Sequence, residues 1–473
     1  MVLKVYNTLT RRLGTFRPRH GNKVQMFVCG QTVSDDAHMG HAKTYIQFDI
    51  IVRWLRQLGY NVAYVQNITD IEDKIINRAK EKGVDPLELA KHHIQRFLED
   101  LEAIRVKKNV DMFPKTTDYI PQMIQQIKIL IEKGYAYVKD GDVYYDVAKF
   151  KDYDKLSRMP IEELKKHRIE PDQRKRNSFD FSLWKQQKTG ELAWDSPWGR
   201  GRPGWHIEDT AMTWAIFGPQ YDVHGGATEL IFPHHTNEIA QAEAVSGKKP
   251  FVKYWLHTGV LQIGGVEMHK SLRNFVTIRE MLSKYDAEVL RLYYASTHYR
   301  KPIEFDEKDF EEPKRKLEYL YNTMRTVKNA VSEGGKESTE LKKALTQTRK
   351  KFTEAMNNDF TTPLAFTALY ALARKTNSTV AKQKISEKLA EETIKTLKEL
   401  GSIFGILEKE TPKEEELPQN VKKLMAQREE ARGKKDWKKA DAIREQIKKL
   451  GFVLEDTQEG PKLRKVKDYE SSN

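Results

Sequence analysis

The sequence predicts an α/β fold: a parallel sheet wrapped by helices and split by an insertion, followed by a helical bundle and a small basic C-terminal domain. Three observations lead to this prediction. Apolar runs alternate with helical ones from Val24 to about Val110, which is typical of a parallel sheet covered by helices. The alternation stops near Pro114 and resumes between Gly204 and Ile263. From Glu311 to about Ile406 the pattern is helical, with a break at Gly334-Gly335.

Length and composition indicate a large, water-exposed protein with a polyanionic partner. The chain has 473 residues, of which 39% are hydrophobic and 32% charged, and its net charge is +14. Roughly two to four domains are expected at this length, and the basic balance favours nucleic acid as partner. The single cysteine, Cys29, excludes an intramolecular disulfide framework. No apolar run reaches membrane-spanning length, and Met1–Arg12 lacks the apolar core of a secretory signal, so we expect a cytoplasmic location.

The first predicted elements are a strand, a helix and a second strand. The apolar run Val24–Val28 predicts the first strand, and Val62–Ile68 predicts the second. Between them, apolar residues recur at helical spacing until Gly59 ends the helix; they are Tyr45, Phe48, Val52, Leu55 and Leu58. Asp85-Pro86 then predicts a further helix start, with a capping carboxylate and a proline in the first turn.

Two histidines and a glycine, in the run His38-Met39-Gly40-His41, lie where the first strand gives way to the first helix. A helix N-terminus offers unpaired N–H groups and the positive end of the peptide dipole, so it binds phosphates well. Glycine lets a nucleotide approach the backbone, and imidazoles can donate hydrogen bonds to phosphate oxygens as charge develops. Ligands of doubly wound sheets bind beyond the carboxyl ends of the strands. This position therefore suits ATP.

The insertion and the segment after it follow different patterns. Tyr135–Val147 predicts a hairpin around Lys139-Asp140-Gly141-Asp142. The aromatic and basic stretch Arg174–Trp198 predicts irregular structure. Strand-like runs at Tyr221–His224 and Trp255–Ile263 belong to the resumed α/β alternation.

The C-terminal end has the composition of an RNA-binding region. After a linker at Thr411–Pro418, Lys and Arg outnumber Asp and Glu by fifteen to ten between Val421 and Asn473. Trp437 and Phe452 lie among these charges, and aromatic rings in such surroundings can stack on unpaired bases. The alternative is an amphipathic helix that uses Trp437 as a core anchor and keeps its lysines in water.

Several segments of the chain together point to one family. They are Val5–Thr10, Cys29–His41, Asn67–Ile71, Gly204–Glu208, Phe232–His235, Asn237–Gln241, Asp436–Arg444 and Gly451–Gly460. In this order they resemble the cysteinyl-tRNA synthetases, which are class I aminoacyl-tRNA synthetases. The resemblance runs nearly end to end. It implies a Rossmann-like catalytic domain that uses ATP, with Mg²⁺, to activate L-cysteine and then transfers it to the 3′ end of the tRNA for cysteine.

The same resemblance divides the chain by role. It implies a monomer that acts away from membranes, with tRNA, ATP and L-cysteine as partners. The expected parts are the first catalytic half (1–113), a connective insertion (114–200), the second catalytic half with a metal site (201–265), a KMSKS-like loop and stem-contact region (266–310), a helical tRNA-binding bundle (311–412) and an anticodon-binding region (413–473).

The resemblance places the ATP-binding groups in two loops. The family's HIGH motif is matched by His38 to His41, and its KMSKS-L-G-N motif appears here as Glu267–Asn274 with only the second lysine, Lys270, retained. Losing a lysine should slow the chemistry, although His269 and Arg273 could restore positive charge. The residues expected to bind ATP are His38, Gly40, His41, Met268, Lys270 and Ser271, and the catalytic ones among them are His38, His41 and Lys270.

The resemblance also implies a zinc site, which the family builds from two cysteines, a histidine and a glutamate. Cys29, His234 and Glu238 match three of these positions, and Asp209 stands in place of the second cysteine. A carboxylate is an accepted zinc ligand and keeps the ligand charge, but one sulfur fewer lowers selectivity for zinc. His234 and Glu238, four residues apart, should share a helix face. Alternatively, Asp209 only hydrogen-bonds a neighbour and Cys29 is an ordinary buried thiol.

The residues that match positions near the cysteine substrate are Cys29, Thr69, Trp205 and His224. Core packing is the simpler explanation for Trp205 or His224 taken singly. Two other functions stay open. The altered loop Glu267–Asn274 would suit a paralogue that binds RNA without charging it. A related ligase joins activated cysteine to a small amine, but that relative lacks the C-terminal anticodon-reading region, which this chain has.

Overall fold

The computed structural model describes residues 2–160, 172–188, 190–267, 275–409, 419–434, 436–457 and 460–465. Backbone contacts divide the chain into two units, residues 1–409 and residues 410–473. None of the helices in these ranges carries an apolar segment long enough to cross a membrane.

The helices and strands follow each other in the alternating order that the sequence predicts. The helices are α1 (Met39–Gln57), α2 (Asp73–Lys82), α3 (Pro86–Ala103), α4 (Ile120–Glu132), α5 (Ile207–Phe217), α6 (Thr236–Ser246), α7 (Ile278–Lys284), α8 (Ala287–Ala295), α9 (Glu311–Asn329), α10 (Thr339–Asn357), α11 (Thr362–Val380), α12 (Glu387–Phe404), α13 (Gln419–Gly433) and α14 (Trp437–Lys449). The strands are β1 (Lys4–Asn7), β2 (Arg12–Thr15), β3 (Lys23–Thr32), β4 (Asn61–Thr69), β5 (Ala136–Lys139), β6 (Asp142–Tyr145), β7 (Phe181–Gln186), β8 (Gly201–Pro203), β9 (Tyr221–Ala227), β10 (Val252–Thr258), β11 (Leu261–Ile263), β12 (Val266–Glu267), β13 (Ile303–Glu304), β14 (Val331–Lys336), β15 (Phe452–Thr457) and β16 (Gly460–Lys465).

A parallel sheet with the strand order β10-β9-β3-β4 forms the centre of the first unit. The chain runs from β3 through α1 to β4 on one side, and returns to the other side of β3 with β9. The β3–β9 boundary is therefore a topological switch point, beyond which doubly wound folds bind their ligands. The predicted α/β fold with a parallel sheet is confirmed.

Side chains of β3 alternate between two apolar cores, as the period of a strand requires. Met26 and Val28 face a core that contains α1 and helices of the bundle. Phe27 and Cys29 face a second core, which contains α4, α5 and α6. Cys29 thus points to the face where α5 and α6 lie, and this places it in the site described below.

The insertion contains an antiparallel sheet with the order β5-β6-β7-β8. The predicted hairpin is confirmed, since β5 and β6 pair across Asp140-Gly141, whose φ angles of 51° and 82° suit a two-residue turn. The prediction of irregular structure over Arg174–Trp198 is wrong at β7. Phe181, Leu183 and Trp184 of that strand are buried, and this apolar segment is masked in the sequence by charged neighbours.

Helices α9 to α12 form the predicted bundle, and a buried arginine of α8 joins α1 to it. Arg291, on α8, is fully buried; it pairs with Asp49 of α1 and donates to the carbonyl oxygens of Ile104 (2.9 Å) and Phe404 (2.6 Å). Removing one partner of such a pair costs about 3–5 kcal/mol. The break predicted at Gly334-Gly335 falls in β14, which bridges to Ile385.

The second unit pairs α13 with α14 and β15 with β16. Its small core contains Ile443, Ile447 and Leu454, with Phe452 packed against it. Trp437 is 57% exposed, so it is not a core anchor. Phe452 lies partly in the core, which leaves Trp437 as the more accessible ring.

Candidate active site

His38 and His41 form the N-terminal cap of α1. His38 Nδ1 accepts from the amide of Gly40 (3.1 Å), and His41 Nδ1 accepts from the amide of His38 (3.3 Å), with the two rings stacked at 3.8 Å. Burial lowers the pKa of His41 well below its usual value, so this ring is neutral. An imidazole whose Nδ1 accepts carries its proton on Nε2. Both rings therefore present an Nε2–H donor at a helix N-terminus.

The segment that follows the second predicted ATP loop lies against this cap. Thr277 forms an isolated antiparallel bridge with His38, and the amide of Met39 donates to the carbonyl of Val276 at 3.0 Å. The rings of Phe275 and His38 pack edge to face, with their centroids 5.4 Å apart. Three further predicted ATP-binding residues fall outside the described residues, and they are Met268, Lys270 and Ser271.

The four predicted metal ligands meet at the switch point of the sheet. One ligand atom from each of Cys29, Asp209, His234 and Glu238 lies within 4.8 Å of the others, and all four residues are buried. Asp209 Oδ2 is 3.3 Å from Cys29 Sγ and 3.1 Å from His234 Nε2, which in turn is 3.2 Å from Glu238 Oε1. Cys29 comes from β3, Asp209 from α5 and Glu238 from α6, so three separate elements build the cluster.

The electrostatics of the cluster suit a cation. Burial, together with the carboxylates of Asp209 and Glu238, raises the pKa of the Cys29 thiol well above its usual value. Burial and Asp209 likewise raise the pKa of Glu238. Neither carboxylate oxygen of Glu238 makes a hydrogen bond, although His234 Nε2 is near Oε1. Buried anions and unpartnered acceptors are costly without a positive charge between them, so the donor set fits a divalent ion.

Residues outside the predicted set orient these ligands. Asn67 Nδ2 donates to Asp209 Oδ1 at 2.7 Å, and the Nδ1 atoms of His206 and His234 lie 2.9 Å apart. Ligands of protein-bound metals commonly have such partners, which fix ring orientation and carboxylate direction. Neither role was predicted from the sequence. Asn67 and His206 lie in two of the segments that carry the family resemblance, Asn67–Ile71 and Gly204–Glu208, but only the fold shows what they contact.

His234 and Glu238 do not lie on one continuous α-helix, although their spacing suggested a shared helix face. His234 lies in a π-helical turn, Ile231–His235, in which Phe232 has an extended conformation (φ −135°, ψ 132°). Helix α6 begins only at Thr236. His234 Nε2 and Glu238 Oε1 nevertheless lie 3.2 Å apart, as expected for two residues four positions apart.

A second layer of histidines lies beneath the cluster. His224 Nε2 and His235 Nε2 are 3.4 and 3.1 Å from Cys29 Sγ, and these three residues with Glu238 form an overlapping group of ligand atoms within 4.8 Å. His235 Nδ1 contacts His257 Nε2 at 2.8 Å. Burial lowers the pKa of His257 to about 3. The adjacent pair at 234 and 235 was the sequence signal for His235.

The remaining predicted substrate residues lie around the cluster. Trp205 stacks on His234 with ring centroids 4.3 Å apart, and His224 is fully buried at the base. Thr69, at the end of β4, donates its hydroxyl to Glu208 Oε2 at 2.9 Å. Trp205 is partly accessible, so it is the member of this set that a substrate above the cluster would meet first.

Comparison with protein families assigns three parts of the chain. The tRNA synthetases class I (C) catalytic domain matches residues 15–315, the DALR domain matches residues 351–408, and the cysteinyl-tRNA ligase anticodon binding domain matches residues 414–463. A cysteine–tRNA ligase of Thermococcus gammatolerans is 44% identical over 480 residues, covering 99% of this chain and 100% of that protein. One of Coxiella burnetii is 44% identical over 472 residues, covering 98% and 100%.

Solved structures share the fold at low sequence identity. The Mycobacterium tuberculosis methionyl-tRNA synthetase in complex with methionyl-adenylate is 16% identical, with a TM-score of 0.60 over 81% of this chain and 89% of that one. A putative arginyl-tRNA synthetase from Campylobacter jejuni is 13% identical, with a TM-score of 0.55 over 81% and 93%. With the near full-length relatives and the matched domains, the conclusion is that this chain belongs to the cysteinyl-tRNA ligase family of class I aminoacyl-tRNA synthetases.

Proposed function

We propose that this protein is a cysteine–tRNA ligase, which activates L-cysteine with ATP and transfers it to the tRNA for cysteine. In the first step the carboxylate of cysteine attacks the α-phosphorus of ATP, and pyrophosphate leaves. In the second, a hydroxyl of the terminal ribose of tRNA attacks the carbonyl carbon, and AMP leaves. The observation that carries the proposal is the buried cluster of Cys29, Asp209, His234 and Glu238 at the switch point of the sheet.

The cap of α1 supplies the contacts to ATP in this proposal. His38 and His41 present Nε2–H donors from a helix N-terminus, where N–H groups and the helix dipole favour anions. Gly40 lies between them, and a Cβ there would come within 2.9 Å of the His38 ring, so only glycine leaves this approach clear. Fixed donors of this kind stabilise charge that develops on the phosphates in the transition state. Lys270 and Ser271 would add contacts, with Mg²⁺ accompanying ATP.

The cluster recognises the side chain of cysteine in this proposal. Cys29, Asp209, His234 and Glu238 would hold a zinc ion, and what zinc supplies when bound is a preference for a thiolate over a hydroxyl. This matters because an apolar pocket distinguishes cysteine from serine only weakly. Trp205 packs on His234 and limits the space above it. Asn67 keeps one oxygen of Asp209 occupied, so the other oxygen faces the cluster.

The remainder of the chain is proposed to bind tRNA. The net charge of +14 favours a polyanion, and the matched anticodon binding domain covers most of the second unit. We assign the bundle, 311–412, to the tRNA stem and residues 413–473 to the anticodon loop, with Trp437 exposed for stacking. We propose that the protein works as a monomer in the cytoplasm.

One experiment separates this proposal from its alternatives. ATP–pyrophosphate exchange is measured with and without cysteine, followed by charging of the cognate tRNA. Exchange that depends on cysteine, with charging, supports the proposal. Exchange without charging would indicate a ligase with another acceptor, and RNA binding without exchange would indicate a paralogue that no longer activates cysteine.

A further inference from the structure

The turn between α10 and α11 has a backbone conformation that needs support from its surroundings. Asp359 and Phe360 are consecutive residues with φ angles of 56° and 52°. Asp tolerates the left-handed region, but Phe does so rarely, and strained backbone persists where contacts over-determine it. Both residues are buried. The contacts of Asp359 explain why the turn is held in this form.

The Asp359 carboxylate binds two other parts of the first unit. Its Oδ1 accepts from the amide of Tyr6 in β1 (2.8 Å) and from the hydroxyl of Tyr299 (2.9 Å). Its Oδ2 accepts from Arg300 Nε at 2.8 Å. Arg300 also stacks on the ring of Tyr6, with 4.3 Å between guanidinium carbon and ring centroid. One side chain in a bundle turn thus joins β1 and the segment after α8.

The backbone of Asp359 adds two more contacts to the same elements. Its amide donates to the carbonyl of Lys4 at 2.9 Å, and its carbonyl accepts from His298 Nε2 at 2.9 Å. The amide, the carbonyl and both carboxylate oxygens of this residue are therefore engaged in holding the hairpin of α10 and α11 to the catalytic fold.

Strand β1 continues this connection to the candidate active site. Asn7, next to Tyr6, donates its side-chain amide to the carbonyl of Lys253 (2.9 Å) and accepts from the amide of Trp255 (3.1 Å), both on β10. The hydroxyl of Thr8 contacts His257 Nδ1 at 2.8 Å. Three successive residues of the chain therefore link Asp359, the edge of the parallel sheet and the histidine layer.

We propose that Asp359 is a positioning residue for the transfer of cysteine to tRNA. It fixes the α10–α11 hairpin to the catalytic fold, so that tRNA held on the bundle presents its 3′ end at the active site. The inference rests on the proposed function, because it assigns the bundle to tRNA binding. None of the partners of Asp359 is a residue proposed to contact ATP or to hold the metal, so activation of cysteine should not depend on Asp359.

The test compares the two steps in Asp359→Asn. This variant keeps the shape of the side chain but places an uncharged group beside Arg300. We expect exchange to stay within about twofold of wild type. The kcat for charging at saturating tRNA should fall about tenfold with little change in the KM for tRNA, because tenfold is the lower end of what one charged hydrogen bond contributes. Arg300→Met should give the same split, and Arg300→Lys should recover part of the loss.

Asp85→Ala is the matched control, since it removes another carboxylate that holds backbone amides, at the N-terminus of α3, and it should leave both steps near wild type. The inference is overturned if exchange and charging fall together in Asp359→Asn, or if charging keeps its wild-type kcat. If Asp359→Asn does not fold, Arg300→Met decides by the same criteria. A wild-type protein that neither exchanges nor charges would contradict the proposed function and this inference together, whereas the two overturning results leave the proposed function intact.

Discussion

Asn67 offers a sharp test of the metal cluster, because it touches a proposed ligand without being one. Asn67→Ala removes the amide that donates to Asp209 Oδ1 at 2.7 Å and the oxygen that accepts from the amide of Gly30 at 2.6 Å. A hydrogen bond to a charged group contributes about 1.5–3 kcal/mol and a neutral one about 1 kcal/mol. The free energy of unfolding should therefore fall by about 3 kcal/mol. Because Asp209 also loses its orientation, zinc affinity should fall about 10–100-fold.

The assay is competition for zinc between the protein and a chromophoric chelator, with denaturant unfolding measured on the same preparations. Asn109→Ala is the matched control: Asn109 also donates to a buried carboxylate, Asp49 Oδ1 at 2.5 Å, but that carboxylate belongs to the ion pair with Arg291. The control should lose stability and keep its zinc affinity. If Asn67→Ala binds zinc within twofold of wild type, Asp209 is not held as a metal ligand and the reasoning fails.

Three further predictions follow from the site and the domain assignment. His41→Ala, like Lys270→Ala, should lower cysteine-dependent exchange by about two orders of magnitude, while the exposed His92→Ala should not; wild-type exchange in Lys270→Ala would remove that loop from the chemistry. Deletion of residues after Pro418 should leave exchange nearly intact but weaken charging, and tRNA affinity of the full chain should fall steeply with salt; equal charging by the truncated protein would exclude this region from the mechanism. Burial lowers the pKa of His257 from an ordinary value of 6.5 to about 3 in the folded protein. The stability that its neutral form contributes is therefore complete above pH 6.5 and is lost, by up to about 5 kcal/mol, as pH falls toward 3. Urea unfolding across this range should show a shallower pH dependence of the unfolding free energy in His257→Gln, and identical profiles would contradict the assignment.

The sequence predicted the elements whose signals are local. Apolar periodicity predicted β3, α1 and β4, and the structure confirms that β3 and β4 pair in a parallel sheet. The strand β7 was missed because its apolar run, Phe181 to Trp184, is short and lies in a stretch rich in basic residues. Pairing with β6 and β8 stabilises this segment as a strand, which its local sequence pattern alone does not indicate.

Contacts between distant residues account for what the sequence could not predict in the site. Cys29 and Asp209 are 180 residues apart, and Asn67 and Asp209 are 142 apart. The resemblance to a family suggested the four ligands, and the structure brings them together. The roles of Asn67, His235 and His257 depend on packing that no spacing in the chain expresses. The turn at Asp359 is similar, because its conformation follows from partners on β1 and after α8.

The central claim, that the buried cluster recognises the thiol of the substrate, is tested most directly by a spectroscopic titration of the protein loaded with cobalt in place of zinc. Elemental analysis first establishes one metal ion per chain. Addition of L-cysteine should increase the thiolate-to-cobalt charge-transfer band, because a second sulfur joins Cys29 at the metal, and addition of L-serine should leave the band unchanged. The same Asn67→Ala protein should bind less cobalt. Protein that holds well under one metal per chain yet still prefers cysteine to serine in exchange, or a band that does not respond to cysteine, would contradict the account.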